Sequence, residues 1–326
     1  MTAPDALSSL RGVAACTAAD LRAAVPAGEL QLHYQPILDL STRAPAAVEA
    51  LLRWVRPEGT LAPGSFWHVV DRATARMIGA HVLDTACAQI AQWRAADLVP
   101  QVSVNVDPRE LDAAWVAGVY DALGRHGLPP EALTLELTET AQIDNRGAPD
   151  LAAALVRRGV GIALDDAGTG FNALAAVADM PVTELKIDRR FVTRLGEPRT
   201  DALIRAFVAL AGDIGMRTVA EGVETEQQAQ LLDAHGVDRA QGFLFSRPMP
   251  APAVAAYWSD ALCPEQRGLR LIRGLAGAGT SPVTIAAILN RRGIPGRNAR
   301  QWRAATVLAE LARGSVETAP RLRHAL

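Results

Sequence analysis

Lysine is almost missing from this chain. Of its 33 basic residues all but one are arginine, and the exception is Lys186. A lone lysine on an arginine-rich background marks a place where arginine would not serve, with chance as the alternative. Cysteine is scarce as well: Cys16, Cys87 and Cys263 are odd in number and far apart, which excludes a disulfide framework and a Cys-x-x-Cys metal site. Six histidines form no convergent set, so a His-rich zinc site is not expected. No run of 18 or more uncharged apolar residues occurs, which excludes a transmembrane helix. Met1 to Leu30 contains Asp5, Arg11, Asp20 and Arg22 and lacks the basic-then-apolar order of a signal peptide. A cytoplasmic protein with reduced thiols and no membrane partner is expected.

What is present is apolar bulk and a divided charge. The 326 residues are 49% hydrophobic, enough for one large domain or one domain with a small appendage. The net charge of −2 hides a break: Met1–Cys263 carries −10, whereas Pro264–Leu326 carries 11 arginines against Glu265, Glu310 and Glu317. Two parts with different partners are implied.

From Leu30 onward short β-like runs alternate with amphipathic stretches. Strands are expected at Gln31–Leu38, Ala47–Trp54, Gln101–Asp107, Leu133–Thr140, Gly161–Asp166, Glu184–Asp188, Arg217–Gly222 and Ala240–Phe245. Helical spacing marks Ala75–Ala95, Asp201–Gly215 and Thr225–His235. Eight strands mostly followed by helices predict an α/β protein with a (β/α)8 TIM-like barrel, irregular at its first strand because no helix precedes the second. The expected division is an N-terminal extension at 1–28, a barrel at 29–258, a linker at 259–265 and a small all-α basic module at 266–326. That module reads as three helices, Gln266–Ala276, Thr280–Arg292 and Asn298–Ala312.

The polar residues at strand ends carry the chemistry. Glu49 lies in the second strand, Asn105 late in the third, and Glu136 and Glu139 on the fourth. Asp165 and Asp166 close the fifth, Lys186 and Asp188 the sixth, Glu221 and Glu224 the seventh, and Gln241 lies on the eighth. Active sites of such barrels form at the C-terminal strand ends, so these groups meet at one rim. Five or more carboxylates cannot converge unless several are protonated or cations neutralise them. An oxygen-rich set with one amide suits Mg²⁺ or Mn²⁺, and two such ions about 3.5–4 Å apart are the usual device for in-line attack on a phosphodiester. Each residue has a plainer reading: Glu224 as a helix cap, Asp188 as half of a surface ion pair. Adjacent Asp165 and Asp166 face opposite sides of a strand unless it has ended, and the glycines that follow suggest that it has.

The segments YQPI (34–37), EALLRW (49–54), SVNV (103–106), ELTET (136–140), DDAGTGF (165–171), LKIDRRFV (185–192), AEGVET (220–225) and QGFLFSRP (241–248) together resemble the EAL family of cyclic di-GMP phosphodiesterases, in order and spacing. The resemblance implies hydrolysis of cyclic di-GMP to linear pGpG. It implies metal ligands at Glu49, Asn105, Glu136, Asp165, Asp166 and Glu221, holding two divalent cations. Lys186 matches the lysine that orients or deprotonates the attacking water, a task open to a compact ammonium and closed to arginine. Gln35, Leu51, Arg53 and Gln241 match substrate contacts, with Arg53 a candidate for phosphate. Glu139, Gly168, Thr169 and Gly170 match the anchored loop, and a homodimer is expected through the barrel. The chain departs from the family where Ala167 replaces an aromatic and Phe171-Asn172-Ala173 replaces Tyr-Ser-Ser. A looser loop follows, with activity expected nonetheless, if at a lower level.

Residues 284–311 resemble the small helical module of large serine recombinases, without their catalytic domain. Arg291, Arg292, Arg297, Arg300 and Arg303 cluster there, a footprint for DNA phosphates or a basic face for a protein partner. The alternative to an enzyme is a catalytically weak cyclic di-GMP receptor that signals through this tail.

Overall fold

The computed structural model describes residues 16–107, 110–138, 147–167, 177–261, 269, 271–272, 275–276, 279–291 and 301–314. Glu139, Gly168, Thr169, Gly170, Arg292, Arg297 and Arg300 lie outside them, as does the side chain of Asp166. By compactness the chain divides into two units, Met1–Ala91 with Gln101–Ala251, and Gln92–Pro100 with Pro252–Leu326.

In the first unit β1 (Leu30–Asp39), β2 (Pro45–Arg56), β4 (Val102–Asn105), β5 (Leu133–Thr138), β6 (Gly161–Ala167), β7 (Glu184–Ile187), β8 (Arg217–Ala220) and β9 (Arg239–Ala240) close into a barrel. From β2 to β9 each strand lies parallel to the next. The irregular first strand takes a definite form: β1 runs antiparallel to both β2 and β9 and seals the barrel between them. Its cause is chain length. Leu40–Ala44 connects β1 to β2, far short of the dozen residues a parallel crossover needs. Asp39 ties that turn by accepting from Ser41 Oγ at 2.7 Å and Thr42 N at 2.8 Å. Two further strands, β3 (Gly59–Leu61) and β10 (Met249–Pro250), extend β2 and β1 and were not expected.

Helices α2 (Arg72–Ala95), α3 (Ala113–Arg125), α4 (Ala148–Val156), α5 (Arg189–Val192), α6 (Pro198–Asp213) and α7 (Glu226–Ala234) follow strands, and α1 (Ala18–Ala24) precedes them. Several of their starts are set by side chains that accept first-turn amides, whereas α4 and α6 begin on proline turns without such a cap. Asp71 accepts from Thr74 N, Asp112 from Trp115 N and Asp188 from Arg190 N. At α7 the cap is Thr225, in a capping box with Gln228, so Glu224 is not the cap. At the N-terminal strand ends, buried Glu184 meets Arg217 at 3.4 Å and Arg239 at 3.8 Å. In such barrels that face serves stability and leaves the opposite rim to chemistry.

Several expected elements are shorter than the sequence suggests, and two show why. The eighth strand, expected over Ala240–Phe245, pairs only at Arg239–Ala240. The chain then turns, with Phe245 N donating to Gly242 O and Leu244 N to Val223 O. In the second unit α8 (Ala251–Ala261), α9 (Pro282–Arg291) and α10 (Ala304–Gly314) are helical, and Ile272, Ile285, Leu289, Trp302 and Val307 form a core. Asn298–Ala312 was expected to be helical. Gln301–Arg303 is not, because the Asn290 side chain donates to Trp302 O and accepts from Trp302 N, both at 2.9 Å. A backbone held this way at both groups is withdrawn from the helix.

Candidate active site

The barrel brings the strand-end residues of separate segments to one mouth. The center is Lys186, on a β7 whose four residues are all buried. Its Nζ lies 2.6 Å from Glu136 Oε2, 2.7 Å from Glu221 Oε1, 3.2 Å from Asp165 Oδ1 and 3.9 Å from Glu49 Oε2. The lysine is 1% exposed. Burial alone would pull its pKa down. The carboxylates of Glu136, Glu221, Glu49 and Asp165 outweigh it and hold the ammonium well above the ordinary lysine value.

One ammonium does not neutralise four carboxylates, and the acids divide accordingly. Burial opposes ionisation of Glu49, but Lys186 and hydrogen bonds from Gln241 and Asn105 hold its carboxyl below the usual range. Glu136 is pushed well above that range, by burial first and then by the neighbouring Glu49. Burial, with Asp165 and Glu49, raises Glu221 to about 7 against the pull of Lys186.

A relay of amides fixes Glu49. Asn105 Nδ2 donates to its Oε1 at 2.8 Å and Gln241 Nε2 to its Oε2 at 2.6 Å. Gln241 Nε2 also lies 2.9 Å from Gln35 Oε1, and Gln35 Nε2 donates to Ser246 O at 2.9 Å. Gln35 stands directly across the ladder from Glu49, so the antiparallel first strand places it here.

Asp165 reaches the mouth by a strand irregularity. Leu164 pairs with Leu185 and Ala167 with Ile187, so two residues of β6, Asp165 and Asp166, stand against one of β7, Lys186. The strand thus continues through both acids, where the glycines had suggested an end. An extra residue of this kind re-aims side chains next to active sites. Asp188 takes the plainer of its readings: it caps α5 and pairs with Arg190 Nε at 2.8 Å.

A cleft of about 230 Å³ opens at this cluster, lined by Gln35, Glu49, Leu51, Asp165, Lys186 and Glu221 together with Arg189, Glu224 and Phe243. Beside it, sharing Glu49 and Leu51, is a recess of about 420 Å³ whose walls include Trp67, Ile78, Val82 and Asn105. Arg53 lines neither: its Nη1 donates to Leu52 O at 2.8 Å. Two glycines shape the mouth and escaped sequence reading, although each directly follows a site residue. Gly222, after Glu221, has φ +67°. Gly242, after Gln241, lies so near Val223 that an added Cβ would meet its backbone at 2.1–2.6 Å.

The residues fit divalent cations. Glu136 Oε1 is buried without a hydrogen-bond partner among the described residues, Asp165 Oδ1 is buried there with the ion pair to Lys186 and no hydrogen bond, and the facing carboxylates offer oxygen. No three acidic, histidine or cysteine side chains among the described residues form a ready-made metal cage. The Asp166 carboxylate would have to complete one.

Comparison with known proteins places this chain in a family. The EAL domain profile matches residues 18–248. The bifunctional diguanylate cyclase/cyclic di-GMP phosphodiesterase MucR of Pseudomonas aeruginosa is 40% identical over 243 residues, 73% of this chain and 36% of that protein. The cyclic di-GMP phosphodiesterase PA2567 of the same organism is 36% identical over 225 residues, 67% of this chain and 38% of that protein. This chain thus spans under two fifths of the length of these relatives. Among solved structures, the PaMucR phosphodiesterase in complex with c-di-GMP superposes with a TM-score of 0.67 at 39% identity, covering 72% of this chain and 98% of that one. The EAL enzyme Bd1971 bound to cAMP and cyclic-di-GMP gives 0.70 at 28% identity, covering 74% and 68%. No helix among the described residues is long and apolar enough to cross a membrane. The match over more than half its length, together with the barrel, makes this chain a member of the EAL domain family.

Proposed function

We propose that the barrel hydrolyses cyclic di-GMP to linear pGpG. The observation that carries this reading is the cluster of four carboxylates around one buried ammonium at the barrel mouth. Glu49, Asn105, Glu136, Asp165, Asp166 and Glu221 would hold two divalent cations, Mg²⁺ or Mn²⁺, which supply Lewis acidity and an ionised water. Water adds to one phosphorus, the bond from that phosphorus to the 3′ oxygen breaks, and the 3′ oxygen takes a proton. The product keeps a 5′ phosphate. Lys186 stands where it would orient the attacking water or take its proton, the two roles implied for it. Gln35 and Gln241 hold Glu49 in place, and Leu51 and the apolar recess suit a planar base. Turnover of cyclic di-GMP to pGpG by the pure protein with Mg²⁺ or Mn²⁺ is the expected result. Tight binding with no turnover in either ion would turn the reading to a receptor.

A second reading concerns the basic module at 266–326; of the linker expected at 259–265, Ser259–Ala261 belongs to α8 and 262–265 lie outside the described residues. Its charge favours a polyanion, and Arg291 and Arg303 are exposed next to the two clamped residues Asn290 and Trp302. We read it as a DNA-binding appendage. Binding of duplex DNA by the full chain should weaken by about 10³-fold or more between 50 and 200 mM salt if six or more phosphates are contacted. Absence of any salt-sensitive shift removes this reading.

A further inference from the structure

A cyclic dinucleotide carries two phosphodiesters, and this inference rests on reading it as the substrate. The cut phosphate would be met by the cations that Glu49, Asn105, Glu136, Asp165, Asp166 and Glu221 would hold. The other arrives at a cleft lined by Glu49, Asp165, Glu221 and Glu224. Among the described residues lining that cleft, the cationic ones are Lys186 and Arg189. Lys186 cannot reach outward, since it is closed in by four carboxylates and 1% exposed. The Arg189 side chain is 65% exposed, and its ion pair with Glu224 Oε1 is long, at 3.9 Å.

The stem of Arg189 is fixed while its head is not. It is the first residue of α5, directly after the capping Asp188. Its Cβ is wedged against the turn that delivers Glu221, for an added Cβ on Gly222 would stand 2.5 Å from it. Two other arginines do not line the cleft: Arg247 stacks over the ring of the lining residue Phe243 at 4.1 Å, and Arg53 bonds the Leu52 carbonyl. We propose that Arg189 is a substrate-binding residue that grips the phosphate that is not cut. A guanidinium presents two parallel N–H donors to phosphate oxygens, and the loosely held Glu224 is its counter-ion until substrate replaces it.

The test is steady-state kinetics of the full chain, wild type beside Arg189→Ala, Arg189→Lys and Arg53→Ala. The substrates are cyclic di-GMP and bis(p-nitrophenyl) phosphate, which has no second phosphate. Arg189→Ala is expected to raise KM for cyclic di-GMP about tenfold while kcat falls less than about threefold, the size of a lost charge-assisted hydrogen bond. The loss in kcat/KM should be about tenfold greater on cyclic di-GMP than on the small ester, with partial rescue by lysine. An unchanged KM, a KM that moves in Arg53→Ala instead, or equal losses on both substrates would overturn the proposal. If the wild type binds cyclic di-GMP without turnover, the same tenfold change is sought in Kd. A wild type that neither binds nor cleaves it overturns both the inference and the reading beneath it.

Discussion

Lys186→Met is expected to remove most turnover and loosen the fold at once. The ammonium is 1% exposed and lies within 4 Å of four carboxylates. Methionine keeps the length of the chain and takes away the charge. Carboxylates that shared the ammonium must then ionise against one another in a buried place or take up protons. Breaking a buried pair on one side costs about 3–5 kcal/mol. At about 2–4 °C per kcal/mol for a domain of this size, Tm should fall by roughly 6–20 °C. Added Mg²⁺ or Mn²⁺ should restore part of that loss, because a soluble cation replaces the missing one. Calorimetry with and without metal reads both effects. A Tm within about 2 °C of wild type in metal-free buffer would show that the ammonium does not hold the cluster together.

Glu49→Gln should behave differently: activity falls far and stability little. Both oxygens of Glu49 accept from amide donors, Asn105 on one and Gln241 on the other. A glutamine offers one acceptor oxygen, so its NH₂ must face one of those donors. If Asn105 turns away, a proposed ligand is lost. If Gln241 does, the relay to Gln35 and Ser246 breaks. Turnover should drop by at least about 10³-fold, as when an electrostatic stabiliser is removed from a dry site, whereas a mispaired buried donor costs about 1–3 kcal/mol. Measured on one preparation, the two variants separate charge balance from ligand geometry. A Glu49→Gln protein that retains turnover within tenfold of wild type would argue that Glu49 holds no metal.

Much of the barrel was legible because its signal is repetitive: apolar runs ending in acids at a regular interval. The convergence of Glu49, Asn105, Glu136, Asp165, Lys186, Glu221 and Gln241 could be read before any coordinates. What escaped depends on contacts between distant residues. The antiparallel first strand follows from a short connection whose consequence appears only when the barrel closes. The eighth strand reads as six residues because Gly242 to Phe245 are apolar enough for a strand, yet their backbone is committed to Val223 and to its own turn. The α10 start is delayed by an asparagine side chain twelve residues away. Arg53 was favoured for phosphate on its place in the motif. Among the described residues it lines neither cavity, and its guanidinium bonds the Leu52 carbonyl.

The link between Gln35 and Gln241 also bears on the protein's birth. These two side chains are separated by 206 residues, and they join the barrel's first strand to the turn beyond its last. At about 5–20 residues per second on the ribosome, Gln241 emerges roughly 10–40 s after Gln35. Until then Glu49 lacks one of its two donors and the mouth has no closed wall. A nascent chain halted before Gln241 carries its acids without the frame that arrays them, so competence is withheld until the barrel is sealed.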